Sequence, residues 1–184
     1  MKRIVWTFGL ISGGILSLMM AITIPFSHSL GDQGAYLLGY TTMVLSFLLI
    51  HFGIRTYRDS VGDGSVSFGR ALAIGALITV VASLCYVATW EVIYFKFQPD
   101  FATRMSTSAI EKARQSAGTP EEVARRVADT QRMWDMYQNP LINSAMTFIE
   151  PLPVGLLIAF VSAGVLRRKR ARGNEGSLAP SSAV

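Results

Sequence analysis

Four stretches of this chain run on with no charged residue or with a single one: Ile4 to about Phe26, Ala35 to about Ile54, Ala71 to about Phe95, and about Ser144 to Leu166. Crossing the hydrocarbon of a bilayer takes roughly 20 consecutive apolar residues. Each stretch meets that length, so the sequence predicts an all-α membrane protein with four transmembrane helices. Composition agrees. Charged residues make up 16% of the chain and hydrophobic ones 51%, with a mean hydropathy of +0.38, whereas a soluble domain is about one-quarter charged. The charges crowd into a few short segments, a membrane signature, so no large water-excluded globular core is needed.

The first run follows Lys2 and Arg3, as a signal peptide would. At about 23 residues it exceeds the roughly 7–15 of a signal sequence. The segment after it, Ser27-His28-Ser29-Leu30-Gly31-Asp32, has no clear small-x-small cleavage site, so the run is expected to be retained. Basic residues set the orientation. Lys2 and Arg3 precede the first run, Arg55, Arg58 and Arg70 lie between the second and third, and Arg167, Arg168, Lys169, Arg170 and Arg172 follow the fourth. The loop between the first two runs has no Lys or Arg. Both termini and the 55–70 loop are therefore expected in the cytoplasm. The long segment from Lys96 to about Asn143 is then external; its seven basic and six acidic residues say little, because long loops cross with small regard to charge. A basic cluster can also indicate nucleic acid, but here it directly follows an apolar run, and no nucleic-acid partner is expected. The expected partners are the bilayer itself and a second copy or another membrane protein. Residues 1–170 read as one transmembrane domain, and 171–184, rich in Ser, Ala and Gly, as a disordered cytoplasmic tail.

Small residues recur every four positions: Gly9, Gly13 and Ser17 in the first run, Ala71 and Gly75 in the third, Gly155, Ala159 and Ala163 in the fourth. Such strips let helix backbones approach closely in lipid, within one bundle or between two copies. The external segment, 97–143, carries its own helical signals. Thr119-Pro120-Glu121-Glu122 is a capping box with proline at the first helical position. Val123, Val127, Thr130, Trp134 and Tyr137 then fall on one face, and Asn139-Pro140 ends the helix. Upstream, Phe101, Met105, Ala109 and Ala113 share a face, and Gly118 separates the two helices. The expectation is an external amphipathic hairpin that caps the bundle or binds a partner.

Carboxylates inside a membrane are costly and are functional candidates by default. Glu91 and Glu150 are the two, each within about two turns of the external end of its helix, and together they form a candidate proton or cation site. His28, just past the external end of the first run, would make with them a weak candidate metal site, since one imidazole and two carboxylates suit a divalent ion. The alternative is structural: each carboxylate meets interfacial water or nearby hydroxyls, and Glu150 helps satisfy the break imposed by Pro151 and Pro153. No catalytic residue can be nominated, because the two histidines, His28 and His51, lie at opposite faces. The single cysteine, Cys85, has no partner for a disulfide or a metal site, and no cofactor is expected. A second cluster, Arg55, Tyr57, Arg58, Asp59, Ser67 and Arg70, lies in the glycine-rich cytoplasmic loop. It either binds lipid headgroups or structures the loop through an Arg–Asp pair. It holds no GxxxxGK, so nucleotide binding is not indicated. Trp6, Tyr36, Tyr40, Trp90 and Tyr94 sit near helix ends, as an interfacial aromatic belt would.

The run Phe52-Gly53-Ile54-Arg55-Thr56-Tyr57-Arg58-Asp59, with Gly64 and then Ser67-Phe68-Gly69-Arg70-Ala71, resembles a bacterial membrane family known only as a domain of unknown function, DUF4199. Tyr86 to Tyr94, Pro99-Asp100-Phe101, Tyr137, Asn139-Pro140 and Glu150-Pro151 resemble it too, over residues from about 4 to 170. The resemblance implies a four-helix protein of the bacterial inner membrane, and no activity. The expected function is that of a non-enzymatic accessory or interaction protein. The alternatives are a small proton- or cation-coupled transporter subunit using Glu91 and Glu150, and a metal-dependent membrane enzyme using His28, Glu91 and Glu150.

Overall fold

The structure, a computed structural model, describes residues 1–167, and for 25–33, 35 and 36 the backbone alone; the expected tail at 171–184 lies outside the described residues. Every regular element among them is helical: α1 (Lys2–Ser60), α2 (Phe68–Val92) continued by a wider π-helical turn (Ile93–Phe97), α3 (Phe101–Arg114), α4 (Pro120–Tyr137), α5 (Pro140–Ile149) and α6 (Leu152–Leu166). Four segments are long and apolar enough to cross a bilayer: Lys2–Ile24, Leu37–Ser60, Phe68–Phe97 and Pro140–Leu166. The chain is a multi-pass membrane protein. The second span runs on to Ser60 rather than ending near Ile54, because Arg55 and Asp59 face each other one turn apart at 3.6 Å and keep the polar end helical. The fourth begins at Pro140 rather than near Ser144. Asn139 caps it by accepting from the Leu141 amide at 3.0 Å, so the pair that stops α4 also starts α5.

α1 is not straight. Ser12 Oγ donates to the carbonyl of Ser46 at 3.1 Å, yet 34 residues of straight helix would put them about 51 Å apart. Phe8 likewise packs beside Gly53. The two arms of α1, Lys2–Ile24 and Leu37–Ser60, thus lie antiparallel. α2 runs parallel to the first arm, with Gly9 against Val81, Gly13 against Cys85, and Ser17 Oγ donating to the Cys85 carbonyl at 3.3 Å. α6 is antiparallel to α2, with Gly155 against Thr79 and Ala159 against Gly75. The result is an up-down-up-down bundle. Lys2, the 61–67 turn and Arg167 share one end, called here the terminal end. Glu91, Glu150 and the α3–α4 segment lie toward the other, the far end.

The small-residue strips are used inside this single bundle. Between lipid tails no hydrophobic force draws helices together, so close backbone packing and interhelical hydroxyls must do so. Thr89 Oγ1 donates across to Ser17 Oγ of the first arm at 2.8 Å, while Thr79 Oγ1 is held within α2 by donating to the Gly75 carbonyl at 3.0 Å. Phe47, Ile50, Ile54, Ile74 and Ile78 are wholly buried among them. The outward faces carry Leu10, Leu18, Leu45, Leu84, Leu157 and Phe160, all well exposed, which is the inverse of a soluble protein and suits contact with lipid.

α3 and α4 fold back on one another across the 115–119 turn. Arg126 Nη1 donates to Ser116 Oγ and to the Ala117 carbonyl, both at 2.8 Å. Thr119 Oγ accepts from the Glu122 amide while Glu122 Oε2 accepts from the Thr119 amide at 3.0 Å, which closes the capping box. Val123, Val127, Thr130, Trp134 and Tyr137 are the half-buried positions of α4 and their neighbours are exposed. Thr119→Ala is expected to cost about 0.5–2 kcal/mol of local helix stability. Hydrogen exchange would show it as faster exchange in the first turn of α4 with the membrane spans unchanged.

Candidate functional site

At the far end, α2 and the α5–α6 helix meet in an antiparallel register set by the Gly75/Ala159 and Thr79/Gly155 contacts. That register brings Tyr86 level with Glu150, and Trp90 and Glu91 level with Asn143 and Ser144. Tyr86 Oη donates to Glu150 Oε2 at 3.2 Å, and Ser144 Oγ donates to Glu91 Oε1 at 2.8 Å. Each carboxylate therefore accepts from a hydroxyl on the opposite helix. Five helical residues separate Tyr86 from Glu91, about 7.5 Å along the axis, so the two carboxylates sit in successive, separate hydrogen bonds.

Asn143 lies between these bonds, fully buried. Its Oδ1 accepts from Trp90 Nε1 at 2.8 Å and from Thr147 Oγ1 at 3.4 Å. Above it stands a set of rings: Trp90 to Phe101 at 5.0 Å, Tyr94 to Tyr137 at 5.9 Å and Trp134 to Tyr137 at 5.4 Å between centroids. Edge-to-face pairs of this kind hold aromatic surfaces together beyond their buried area, and here they dock α3 and α4 onto the end of α2. Burial pushes the Tyr137 phenol above the ordinary tyrosine range, partly offset by hydrogen bonds that its oxygen accepts from Thr147 and Trp90, so it stays neutral.

Trp90 and Tyr94, expected near a helix end, are also members of this docking cluster, where rings of α3 and α4 meet them. Trp6 and Tyr40 are well exposed, as a belt requires; the side chain of Tyr36 lies outside the described residues. The side chain of His28 does too, so its meeting with Glu91 and Glu150 is not on view. Among the described residues no three His, Cys, Asp or Glu side chains are grouped to hold a metal.

At the terminal end the chain turns from α1 into α2 through two successive left-handed residues, Asp63 at φ 48° and Gly64 at φ 76°. Ser65 Oγ donates to the Gly62 carbonyl at 2.9 Å, and Ser67 caps α2 by accepting from the Arg70 amide at 3.4 Å. The turn borders a cavity of about 790 Å³, whose walls include Tyr57, Asp63, Ser67, Phe68, Arg70 and Arg167. The six residues grouped from sequence divide here. Tyr57, Ser67 and Arg70 line the cavity. Arg55 and Arg58 instead converge on Asp59, at 3.6 and 2.7 Å, and shape the end of α1. Arg167 joins from the end of α6.

The family model described as a protein of unknown function, DUF4199, matches residues 7–168, a span that contains both of these ends. The chain belongs to the DUF4199 family. No curated protein and no solved structure matches it. Two contributors to the DUF4199 chain's far-end network, Tyr86 and Ser144, had only weak sequence signals, being single hydroxyls within apolar runs. Asn143 had a stronger one. A buried amide three residues past an Asn-Pro helix start is a polar group that a membrane helix must satisfy.

Proposed function

We propose that this DUF4199 chain is a non-enzymatic accessory protein of a bacterial inner membrane. Both termini and the 61–67 turn lie in the cytoplasm, and α3–α4 is an external amphipathic hairpin that closes the far end. The protein works by assembly with a second copy or another membrane protein. One observation carries this reading: each membrane carboxylate is bonded to a hydroxyl of a neighbouring helix, Glu150 to Tyr86 and Glu91 to Ser144, so both act as struts between α2 and the fourth span. The basic residues at the terminal end supply the orientation.

Photo-crosslinking in cells, with probes on the exposed positions of α4, is expected to trap a discrete partner or a dimer. A protein that stays monomeric and uncrosslinked from every position would sink the proposal. Glu150→Leu, which leaves the Tyr86 hydroxyl without its acceptor, is expected to cost about 1–3 kcal/mol in a detergent melt.

A second reading has its own support. Pro151 and Pro153 have no amide hydrogen, so the carbonyls of Thr147 and Ile149 lose their helical donors beside the Glu150 carboxylate. Free carbonyls with a carboxylate at a broken membrane helix are the materials of a proton or cation site. Under that reading Glu91→Gln and Glu150→Gln, which keep the acceptor oxygen but remove the charge, abolish ion-dependent flux in proteoliposomes. Under the accessory reading the wild type and both variants give the same background flux.

A further inference from the structure

We propose that the break at Pro151 is a binding site for a small monovalent cation, held by the Thr147 carbonyl, the Ser83 hydroxyl and the Glu150 carboxylate. The inference rests on the cation reading of that break and adds to it the class of ion and a ligand from α2. It needs no transport, since a site can hold an ion without moving it. Pro151 is wholly buried, while Pro153 is exposed. In a helix each carbonyl points at the amide four residues on. Of the two carbonyls that the prolines deprive of a donor, that of Thr147 therefore opens on the buried face and that of Ile149 on the outer one. Ser83 is level with the break. The contacts of Gly75 with Ala159 and of Thr79 with Gly155 carry on by one turn to Ser83 and Pro151. Both residues lie near the middle of their spans, Phe68–Phe97 and Pro140–Leu166, where no water can satisfy an unbonded polar group.

Ser83 is the independent sign of a ligand. It is 0% exposed, and its Oγ has no hydrogen-bond partner among the described residues. Buried polar groups are almost always bonded. The two threonines of α2 show the usual remedy: Thr79 and Thr89 each donate to the carbonyl four residues back, at 3.0 and 2.9 Å. The Ser83 hydroxyl does not turn back in this way. On α2 it lies between Thr79, which meets Gly155, and Tyr86, which donates to Glu150, so its face is the one turned to the break. Charge then selects the ligand. Neither 71–95 nor 144–166 contains a Lys, Arg or His, and Glu150 makes no ion pair among the described residues. Its bond from the neutral Tyr86 hydroxyl leaves the negative charge without a counter-charge. A carbonyl, a hydroxyl and a carboxylate all offer oxygen lone pairs, which repel an anion and suit a hard cation. One carboxylate balances a single charge. Glu91 is held by Ser144 in a separate bond and does not join Glu150 to balance a divalent ion.

Purified full-length protein in detergent is melted in sodium, potassium and choline chloride at equal ionic strength, choline being too bulky for the site. A saturable rise in Tm with sodium or potassium over choline is expected, and Ser83→Ala and Glu150→Gln should each weaken that dependence at least tenfold. Glu150→Gln keeps an acceptor for Tyr86 and so tests the charge alone. Ser83→Ala is diagnostic in sign as well. In choline it removes an unbonded hydroxyl and should melt no lower than the parent; in the effective salt it should melt below it. Ser46→Ala removes the other buried serine hydroxyl without a partner, on the second arm of α1, and should keep the full cation dependence. Equal melting of the parent in all three salts overturns the proposal. So does a cation effect that survives Ser83→Ala or vanishes in Ser46→Ala, and so does a Ser83→Ala variant that melts below the parent in choline, since its hydroxyl is then bonded without a cation. Flux in proteoliposomes is read separately. Cation-dependent melting without flux supports the site and removes the transporter reading. Flux that is lost in Glu150→Gln, with melting indifferent to the cation, keeps the transporter reading and overturns the site.

Discussion

Gly155→Ala is expected to destabilise the folded protein by about 1–3 kcal/mol, the range for inserting one methyl into a filled interior. A Cβ at Gly155 would collide with the methyl of Thr79 and lie 2.7 Å from its hydroxyl. Thr79 cannot easily turn away, because that hydroxyl is bonded to the Gly75 carbonyl. The backbone cannot easily part either, because Gly75 is itself in close contact with Ala159 one turn along. The added methyl must push α6 off α2, and Gly155→Leu is expected to leave no folded protein at all. Gly14→Ala is the matched control. Its Cβ would meet nothing within 4 Å, so it should melt like the parent or gain up to about 1 kcal/mol from helix propensity. Cys85 is the chain's one cysteine and packs against Gly13, so a thiol-reactive dye reports the opening of the bundle directly. A Gly155→Ala melt equal to that of Gly14→Ala would mean that α2 and α6 do not pack as described.

Trp90→Ala is expected to have a larger effect still, about 3–5 kcal/mol, the range for truncating a packed aromatic ring. It removes the ring that meets Phe101 and Tyr94 and the donor to the buried Asn143. The two contributions can be separated. Trp90→Phe keeps an aromatic body but takes away the N–H, and should cost about 1 kcal/mol, the usual net worth of one hydrogen bond. The spatial signature is as informative as the size. Losing Trp90 should release α3 and α4 together, so trypsin sites such as Arg114 and Arg125 become sensitive before the spans unfold. If Trp90→Ala melted the whole bundle in one step with no early cleavage, the aromatic cluster would be part of the bundle core and not a separate docking joint.

The four helices were legible in the sequence because a bilayer leaves a chain little choice: a long uncharged run must satisfy its backbone internally, and a helix does so. The start of α4 was legible because a capping box is local, written within four consecutive residues. Register was not. The Gly75 and Gly155 strips announce that two helices touch, but a four-residue repeat reads equally well one turn up or down. The pairings of Glu150 with Tyr86 and of Glu91 with Ser144 depend on that choice. Asn143 was missed for a different reason. Asn139-Pro140 carries both a stop for the preceding helix and a cap with proline for the next, and reading it only as a stop left Leu141 to Asn143 outside the fourth span. Arg167 was explained too early. Its place in a basic tail gave it a sufficient role in orientation, and nothing in the sequence placed it beside Arg70.

The parallel alignment of the first arm of α1 with α2 bears on how the protein is made. The two arms of α1 can pair as soon as both have left the ribosome, through Phe8 with Gly53 and Ser12 with Ser46, and the short 61–67 turn delivers α2 soon after. α6 emerges only once all of α3, α4 and α5 has been synthesised. Throughout that interval the Gly75–Thr79 face of α2 waits uncovered in lipid, so the chain's most vulnerable moment in biogenesis is the delay before its last helix arrives.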